Sequence, residues 1–266
     1  MKTKRLAIVG CGKLTKIVVN ALTDGYLPDY KLVGVMSRSQ EKANAIAKSI
    51  ENSECHYTCK VCSSLDELLA LKPNYLIESA SPSALKMLAI PVLKNGTSLV
   101  VLSIGAFADT EFYKKVEDVA RQHNQRVHIV SGATGGFDVL RTVSLMGNTN
   151  VSFDTEKGPN SLKNTPKYND SLKLEKSKVF EGNAQEAIAL FPTKVNVSVA
   201  ASLASVGPEN IKVSVTSIPE FIGDNHRIEI NNDQVHAVIS VHSKTAEIAA
   251  WSVVNTLRNI TSPIVF

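Results

Sequence analysis

One histidine, His226, stands where the loop Ile218-Pro219-Glu220-Phe221-Ile222-Gly223-Asp224-Asn225 gives way to the alternating run Arg227-Ile228-Glu229-Ile230. An imidazole with an ordinary pKa of about 6.5 exchanges a proton near neutral pH, which suits general acid/base chemistry. A loop-to-strand junction would hold the ring in a sheet and leave it open to a cleft. Read from this segment alone, the plainer assignment is a surface histidine beside an edge strand. Asp224 precedes it by two residues, and side chains at i and i+2 of a strand share a face. Two roles are open to that carboxylate: raising the histidine's pKa or orienting a ring nitrogen.

A second candidate lies near the N-terminus. Gly10-Cys11-Gly12-Lys13-Leu14-Thr15 follows the apolar run Arg5-Leu6-Ala7-Ile8-Val9 and precedes a stretch with helical periodicity. In a strand–turn–helix context, Gly10 permits the tight turn and Gly12 lets backbone approach a pyrophosphate at the helix N-terminus, where free N–H groups favour an anion. Gly10, Gly12, Lys13 and Leu14 are the expected cofactor contacts of this loop. The third motif position, ordinarily Gly or Ala for close helix–strand contact, is Thr15. The next expected strand ends in Ser37-Arg38-Ser39, with no carboxylate before Glu41. NAD-binding folds place an acid there for the ribose 2′-OH, whereas a guanidinium and two hydroxyls can take a 2′-phosphate. Ser37, Arg38 and Ser39 therefore favour NADP slightly over NAD, and Ser39 also suits a helix cap.

Three of the four cysteines crowd together as Cys55, Cys59 and Cys62, with His56 beside the first. Only Cys59 and Cys62 have a zinc-knuckle spacing and no second pair exists, so the expectation is no metal and a reduced, half-buried strand. The 29 basic and 25 acidic residues form no basic run, which excludes an evident nucleic-acid surface and fits an anionic small ligand. The apolar run after Met1-Lys2-Thr3-Lys4-Arg5 is too short for a signal peptide, and no stretch approaches the ~20 residues of a membrane span. A cytoplasmic protein is expected.

These residues need elements to position them. Apolar strands expected at 5–10, 31–36, around Cys59, 75–78, 98–102 and 127–130 alternate with helical stretches, which predicts a doubly wound parallel sheet. After Met146 the texture changes to two-period alternation at 151–157, 173–181, 211–217, 226–230 and 234–241, with helices at 184–190 and 196–204. That predicts a second α/β domain with a mainly antiparallel sheet. The fold expected is α/β, with a Rossmann domain at 1–132, a substrate and dimerisation domain at 133–244, and a final helix within 245–266 packing back on the first.

With the pieces placed, the chain resembles the L-aspartate dehydrogenase family of NAD(P)-dependent oxidoreductases almost from end to end. The resemblance is carried by Glu78-Ser79-Ala80-Ser81, Ser103-Ile104-Gly105-Ala106-Phe107-Ala108-Asp109, Ser131-Gly132-Ala133-Thr134-Gly135-Gly136-Phe137-Asp138-Val139-Leu140, Phe180-Glu181-Gly182, Phe191-Pro192-Thr193-Lys194-Val195-Asn196-Val197 and Leu257-Arg258-Asn259. The resemblance implies oxidation of L-aspartate to iminoaspartate or oxaloacetate plus ammonia, with NAD or NADP, in a homodimer linked to NAD biosynthesis. It puts the active-site histidine at His226, seven residues after Pro219, and cofactor contacts at Ala133 and Asn196. Departures from the family pattern are Ile218 for Asp, Asp224 for the Asn of Asn-x-His, Gly158-Pro159 for Pro-Pro, and His242-Ser243-Lys244-Thr245 for Asn-Pro-Lys-Thr.

The chemistry implied places the nicotinamide near Ser79-Ala80-Ser81 and Ala133, with His226 as general acid/base and Asp224 as its partner. A dicarboxylic amino or keto acid needs cations or N–H donors. Lys244, the amides from Ser103 to Ala106 and those from Gly132 to Gly136, Gly135 among them, are the candidates, with Lys157 and Arg141 weaker ones. Two other functions fit the same residues: a related oxidoreductase acting on a different amino or hydroxy acid, and a non-catalytic NADP(H) sensor.

Overall fold

A computed structural model describes residues 3–55, 57–192 and 194–266. Met1, Lys2, His56 of the cysteine cluster and Thr193 of the Phe-Pro-Thr-Lys segment lie outside the described residues. The chain divides into two units, one of residues 1–106, 110–130 and 249–266, the other of residues 107–109 and 131–248.

The first unit is built by strand–helix alternation. Its strands are β1 (Lys4–Val9), β2 (Tyr30–Met36), β3 (Lys60–Cys62), β4 (Tyr75–Glu78), β5 (Ser98–Val101) and β6 (Val127–Ile129), and its helices α1 (Lys13–Thr23), α2 (Gln40–Glu51), α3 (Leu65–Ala70), α4 (Pro82–Lys94) and α5 (Thr110–Gln122). The strands pair in parallel in the order β3-β2-β1-β4-β5-β6. This is the doubly wound sheet read from the sequence. Its central strands are apolar on both faces because helices cover both: Leu6, Ala7, Ile8, Leu76, Ile77, Leu99 and Val100 are all buried. Ser39, Ser64 and Ser81 start α2, α3 and α4 by accepting the N–H groups of Lys42, Glu67 and Ala84. The strand order reverses between β1 and β4, the place where such sheets bind ligands beyond the carboxyl ends of their strands.

Thr15, the motif's odd residue, is 1% exposed and its hydroxyl donates to the carbonyl of Gly10 at 2.6 Å. The larger side chain fits because it ties the helix back to the turn instead of crowding it. Thr15→Val keeps the shape and leaves that buried carbonyl without this donor. The expected loss is about 1–2 kcal/mol of stability, read as a lower denaturation midpoint in urea with an unchanged slope.

The second unit contains α6 (Phe137–Leu145), β7 (Asn150–Lys157), β8 (Ser177–Gly182), α7 (Ala184–Leu190), α8 (Asn196–Leu203), β9 (Lys212–Ser217), β10 (Asp224–Asn231) and β11 (His236–Ser243). The last helix, α9 (Glu247–Thr261), belongs to the first unit from Ala249 onward, where Tyr30 Oη donates to the Leu257 carbonyl at 2.7 Å. The second sheet runs β11-β10-β7-β9-β8, antiparallel except for the β7–β9 pair. Alternation along β7 turns Val151, Phe153, Thr155 and Lys157 to the buried face, and β10 adds His226, Ile228 and Ile230. Gly136, with φ +72°, starts α6. A Cβ there would stand 2.6 Å from Cγ1 of Ile239 on β11, so glycine is required by both conformation and space.

Candidate active site

In the first unit the glycine loop sits at the carboxyl end of β1. Gly10 has φ +96°, and a Cβ on it would lie 2.4 Å from the Ser79 carbonyl oxygen. Its own N–H donates to the Met36 carbonyl. Gly10 thus lets the ends of β1, β2 and β4 close on one another. Gly12 differs: it is exposed, and nothing lies within 4 Å of where its Cβ would stand. As N-cap of α1 it offers no side-chain cap, and the helix has no acidic residue in its first turn. Uncapped N–H groups behind an open approach fit the pyrophosphate of a dinucleotide. Lys13 is exposed and Leu14 half-buried in that first turn.

At the carboxyl end of β4, Glu78 is 0% exposed. Its carboxylate accepts the N–H groups of Ala80, Ser81 and Ser103 and the Ser103 hydroxyl, at 2.8–3.1 Å. Burial pushes its pKa above the ordinary value, and these bonds, Ala80's foremost, pull the other way without reversing it. Glu78 thereby fixes the turn Ser79-Ala80-Ser81 and the start of the segment after β5. Its position at the end of a buried apolar strand was the sequence signal for such a role. The Ser103 and Ala106 amides, expected as anion donors, are already engaged, with Glu78 and with the Ser103 carbonyl respectively. These two amides are therefore already satisfied within the protein, and Ser103 is tied to Glu78 by both its amide and its hydroxyl.

At the end of β2, Ser37 Oγ accepts the Ser39 N–H and Ser39 caps α2, while Arg38 is exposed. Cys11 is buried in the glycine loop, and burial pushes its thiol up to about 11 despite a hydrogen bond with Ser37. Cys59 and Cys62 are buried and reduced, and burial also raises their pKa values. Among the described residues no group of three metal-ligating side chains is placed to hold an ion, and no helix is long and apolar enough to cross a membrane.

In the second unit His226 is on an interior strand, between β7 and β11, and is 1% exposed. This corrects the surface, edge-strand assignment. The ring packs on Phe153, centroids 5.5 Å apart, and its Nδ1 is buried without a hydrogen-bond partner. Its cross-strand neighbour is Thr155. Burial, and then the positive charge of Lys157, push the imidazole down to about 4, while Asp224 pulls weakly upward. Asp224 does pull the imidazole upward, one of the two roles open to it, but burial and Lys157 outweigh it. Asp224 is engaged elsewhere, since its Oδ1 stands 2.8 Å from Nζ of Lys157, directly across the β7–β10 pair.

Lys157 is the residue the sequence reading underrated. It is 3% exposed, and burial lowers its pKa while Asp224 favours its charged form. The period-two alternation of 151–157 already placed it on the inward face. Beside it on β9 is Ser217, fully buried, whose Oγ has no partner, and Thr155 Oγ1 is likewise unpartnered. Lys244 is exposed and follows Ser243, which pairs with Asp224. Ala133 and Gly135 are half-buried in the turn before α6, and Asn196 is the first residue of α8. Arg141 is exposed on α6.

A histidine buried in its neutral form makes stability depend on pH. Its folded pKa of about 4 lies below the unfolded 6.5, so the contribution is complete above about pH 6.5 and is lost as pH falls toward 4. The size is on the order of 3 kcal/mol. His226→Phe should flatten that limb in urea unfolding between pH 7 and 4. An unchanged acid limb in the variant would contradict the assignment.

An open, uncapped glycine turn at the switch point of a doubly wound sheet is the arrangement of a dinucleotide-binding unit. Residues 10–130 match the homoserine dehydrogenase NAD-binding domain, and residues 138–260 match the aspartate dehydrogenase C-terminal domain. L-aspartate dehydrogenases of Methanosarcina mazei and Methanosarcina acetivorans are 32% and 34% identical, over 98% of this chain and 98% of each of theirs. The crystal structure of aspartate dehydrogenase from Thermotoga maritima superposes with a TM-score of 0.77 at 26% identity, over 99% of both chains. The chain belongs to the aspartate dehydrogenase family.

Proposed function

We propose that the protein is an NAD(P)-dependent L-aspartate dehydrogenase with His226 as its proton-transfer residue. The observation that carries this reading is a histidine held neutral inside the second unit, with one ring nitrogen unpartnered and a buried cation nearby. In the balanced reaction, L-aspartate, NADP⁺ and water give oxaloacetate, ammonium, NADPH and a proton. The bound nicotinamide supplies acceptance of the hydride from Cα.

The protein's part is to move protons and hold charge. The substrate ammonium must lose a proton before its nitrogen lone pair can form the C=N bond as hydride leaves. Neutral His226 accepts that proton. Its low pKa in the free protein limits its basicity, but an arriving dicarboxylate brings negative charge that offsets Lys157 and raises it. Water then adds to the imine carbon, and His226 serves that step and returns the proton in the reverse direction. Glu78 keeps the Ser79-Ala80-Ser81 turn in place, where it would support the nicotinamide, and the family resemblance is what makes Ala133 and Asn196 further cofactor candidates. Exposed Arg38, with no acid at the end of β2, suits a 2′-phosphate, so NADP is favoured over NAD.

The test is reduction of NADP⁺ and NAD⁺ by purified protein offered L-aspartate, L-glutamate, L-malate and, in reverse, oxaloacetate with ammonia. L-Aspartate should give the highest kcat/KM, with NADP⁺ ahead of NAD⁺. Absence of turnover across the panel would overturn the reading, and would favour a sensor if cofactor still bound.

A further inference from the structure

Lys157 ends β7 on the buried face of the second sheet, at the position where Val151 and Phe153 stand earlier in the same alternation. A buried ammonium costs several kcal/mol relative to an apolar side chain there, unless something repays it. Its ion-pair partner among the described residues is Asp224, whose side chain is 31% exposed against 4% for the lysine. The pair therefore opens to solvent on the aspartate's side only. Three further polar atoms on the same face, Thr155 Oγ1, Ser217 Oγ and His226 Nδ1, are buried without partners. Register ties them to the pair: Ser217 on β9 is the neighbour of Lys157, and Thr155 on β7 faces His226 on β10, next along the buried face from Lys157. Buried polar atoms are ordinarily satisfied within the protein. Several left open around one ammonium mark a place that a small polar anion completes.

We propose that Lys157 receives a carboxylate of the substrate, and that Asp224 is its resident counter-ion, which the substrate carboxylate displaces. This rests on the reading above that the substrate is an acidic amino acid. An ammonium has three donors, enough to hold a ligand carboxylate while Ser217 and Thr155 supply further hydroxyls. Among the described residues the titratable groups near the pair also include His226, held neutral, and the exposed Lys194, which adds positive charge. Asp224 sets the selectivity of the site. With the carboxylate in place, an incoming anion must compete with it, so binding is weaker than a bare lysine would give. A substrate carrying an ammonium beside its carboxylate keeps both members of the pair partnered.

The experiment is calorimetric titration of the NADP⁺-loaded protein with succinate, a dicarboxylate that has no amine to oxidise. K157M should weaken succinate binding by about 10- to 100-fold, and K157R should restore part of it. D224N should tighten it by about threefold or more, because the competing carboxylate is gone. Thermal melting of each variant establishes that it is folded. Succinate binding unchanged in K157M, or weakened in D224N as much as in K157M, would overturn the proposal, and so would absence of binding to the wild type. Loss of aspartate turnover in the wild type with this succinate pattern intact would instead overturn the proposed activity and leave the carboxylate site standing.

Discussion

His226→Ala is expected to lower kcat for L-aspartate by about 10²- to 10⁴-fold, the range that a positioned proton-transfer group contributes. The affinity for NADP⁺ should change little, because the glycine loop belongs to the other unit. The loss is expected in kcat more than in KM, since the ring acts on the proton and not on the substrate's carboxylates. Removing a buried ring that packs on Phe153 also opens a cavity, at a cost of about 2–4 kcal/mol in stability. Activity is therefore to be compared well below the variant's melting temperature, with added imidazole as a rescue. Rescue would show that the chemistry, and not the fold, was lost. A variant with wild-type kcat would remove His226 from the mechanism.

The second large effect separates two glycines of one loop. Gly10→Ala places a methyl group 2.4 Å from a backbone oxygen in a conformation that L-residues rarely adopt, and no side-chain movement relieves it. It should destabilise the first unit by several kcal/mol and abolish cofactor binding with it. Gly12→Ala meets nothing within 4 Å and has a β-region backbone. The fold should tolerate it, while the methyl group stands where the pyrophosphate approaches and weakens NADP⁺ binding by about tenfold or more. Melting curves and cofactor titrations on both variants check this. Equal effects of the two on stability would contradict the division of roles.

Much of this was legible in the sequence, for physical reasons that differ by element. The parallel sheet was readable because strands buried on both faces appear as unbroken apolar runs, as in Leu6-Ala7-Ile8-Val9 and Ser98-Leu99-Val100-Val101. The second sheet was readable as alternation, and the same alternation held the position of Lys157. What it did not show was the carboxylate of Asp224 across the strand pair, 67 positions later in the numbering. The strand expected at 173–181 begins at Ser177, because Asn169 caps a 3₁₀ turn over Asp170–Lys173 that takes the first residues. The helix Phe137–Leu145 was missed behind a glycine-rich segment that reads as loop until Gly136 is seen to start it. The amides of Ser103 and Ala106 are engaged for different reasons: the first is taken by Glu78, 25 residues away, and the second by the nearby Ser103 carbonyl. Thr15 shows the converse, a departure from the motif that a local hydrogen bond to the Gly10 carbonyl makes good.

Turnover with L-aspartate deuterated at Cα tests the central claim most directly. The account predicts NADPH carrying the deuterium at C4 of the nicotinamide ring, together with one oxaloacetate and one ammonium for each cofactor reduced. NADPH formed without deuterium, or no reduction of either nicotinamide cofactor by L-aspartate, would contradict it.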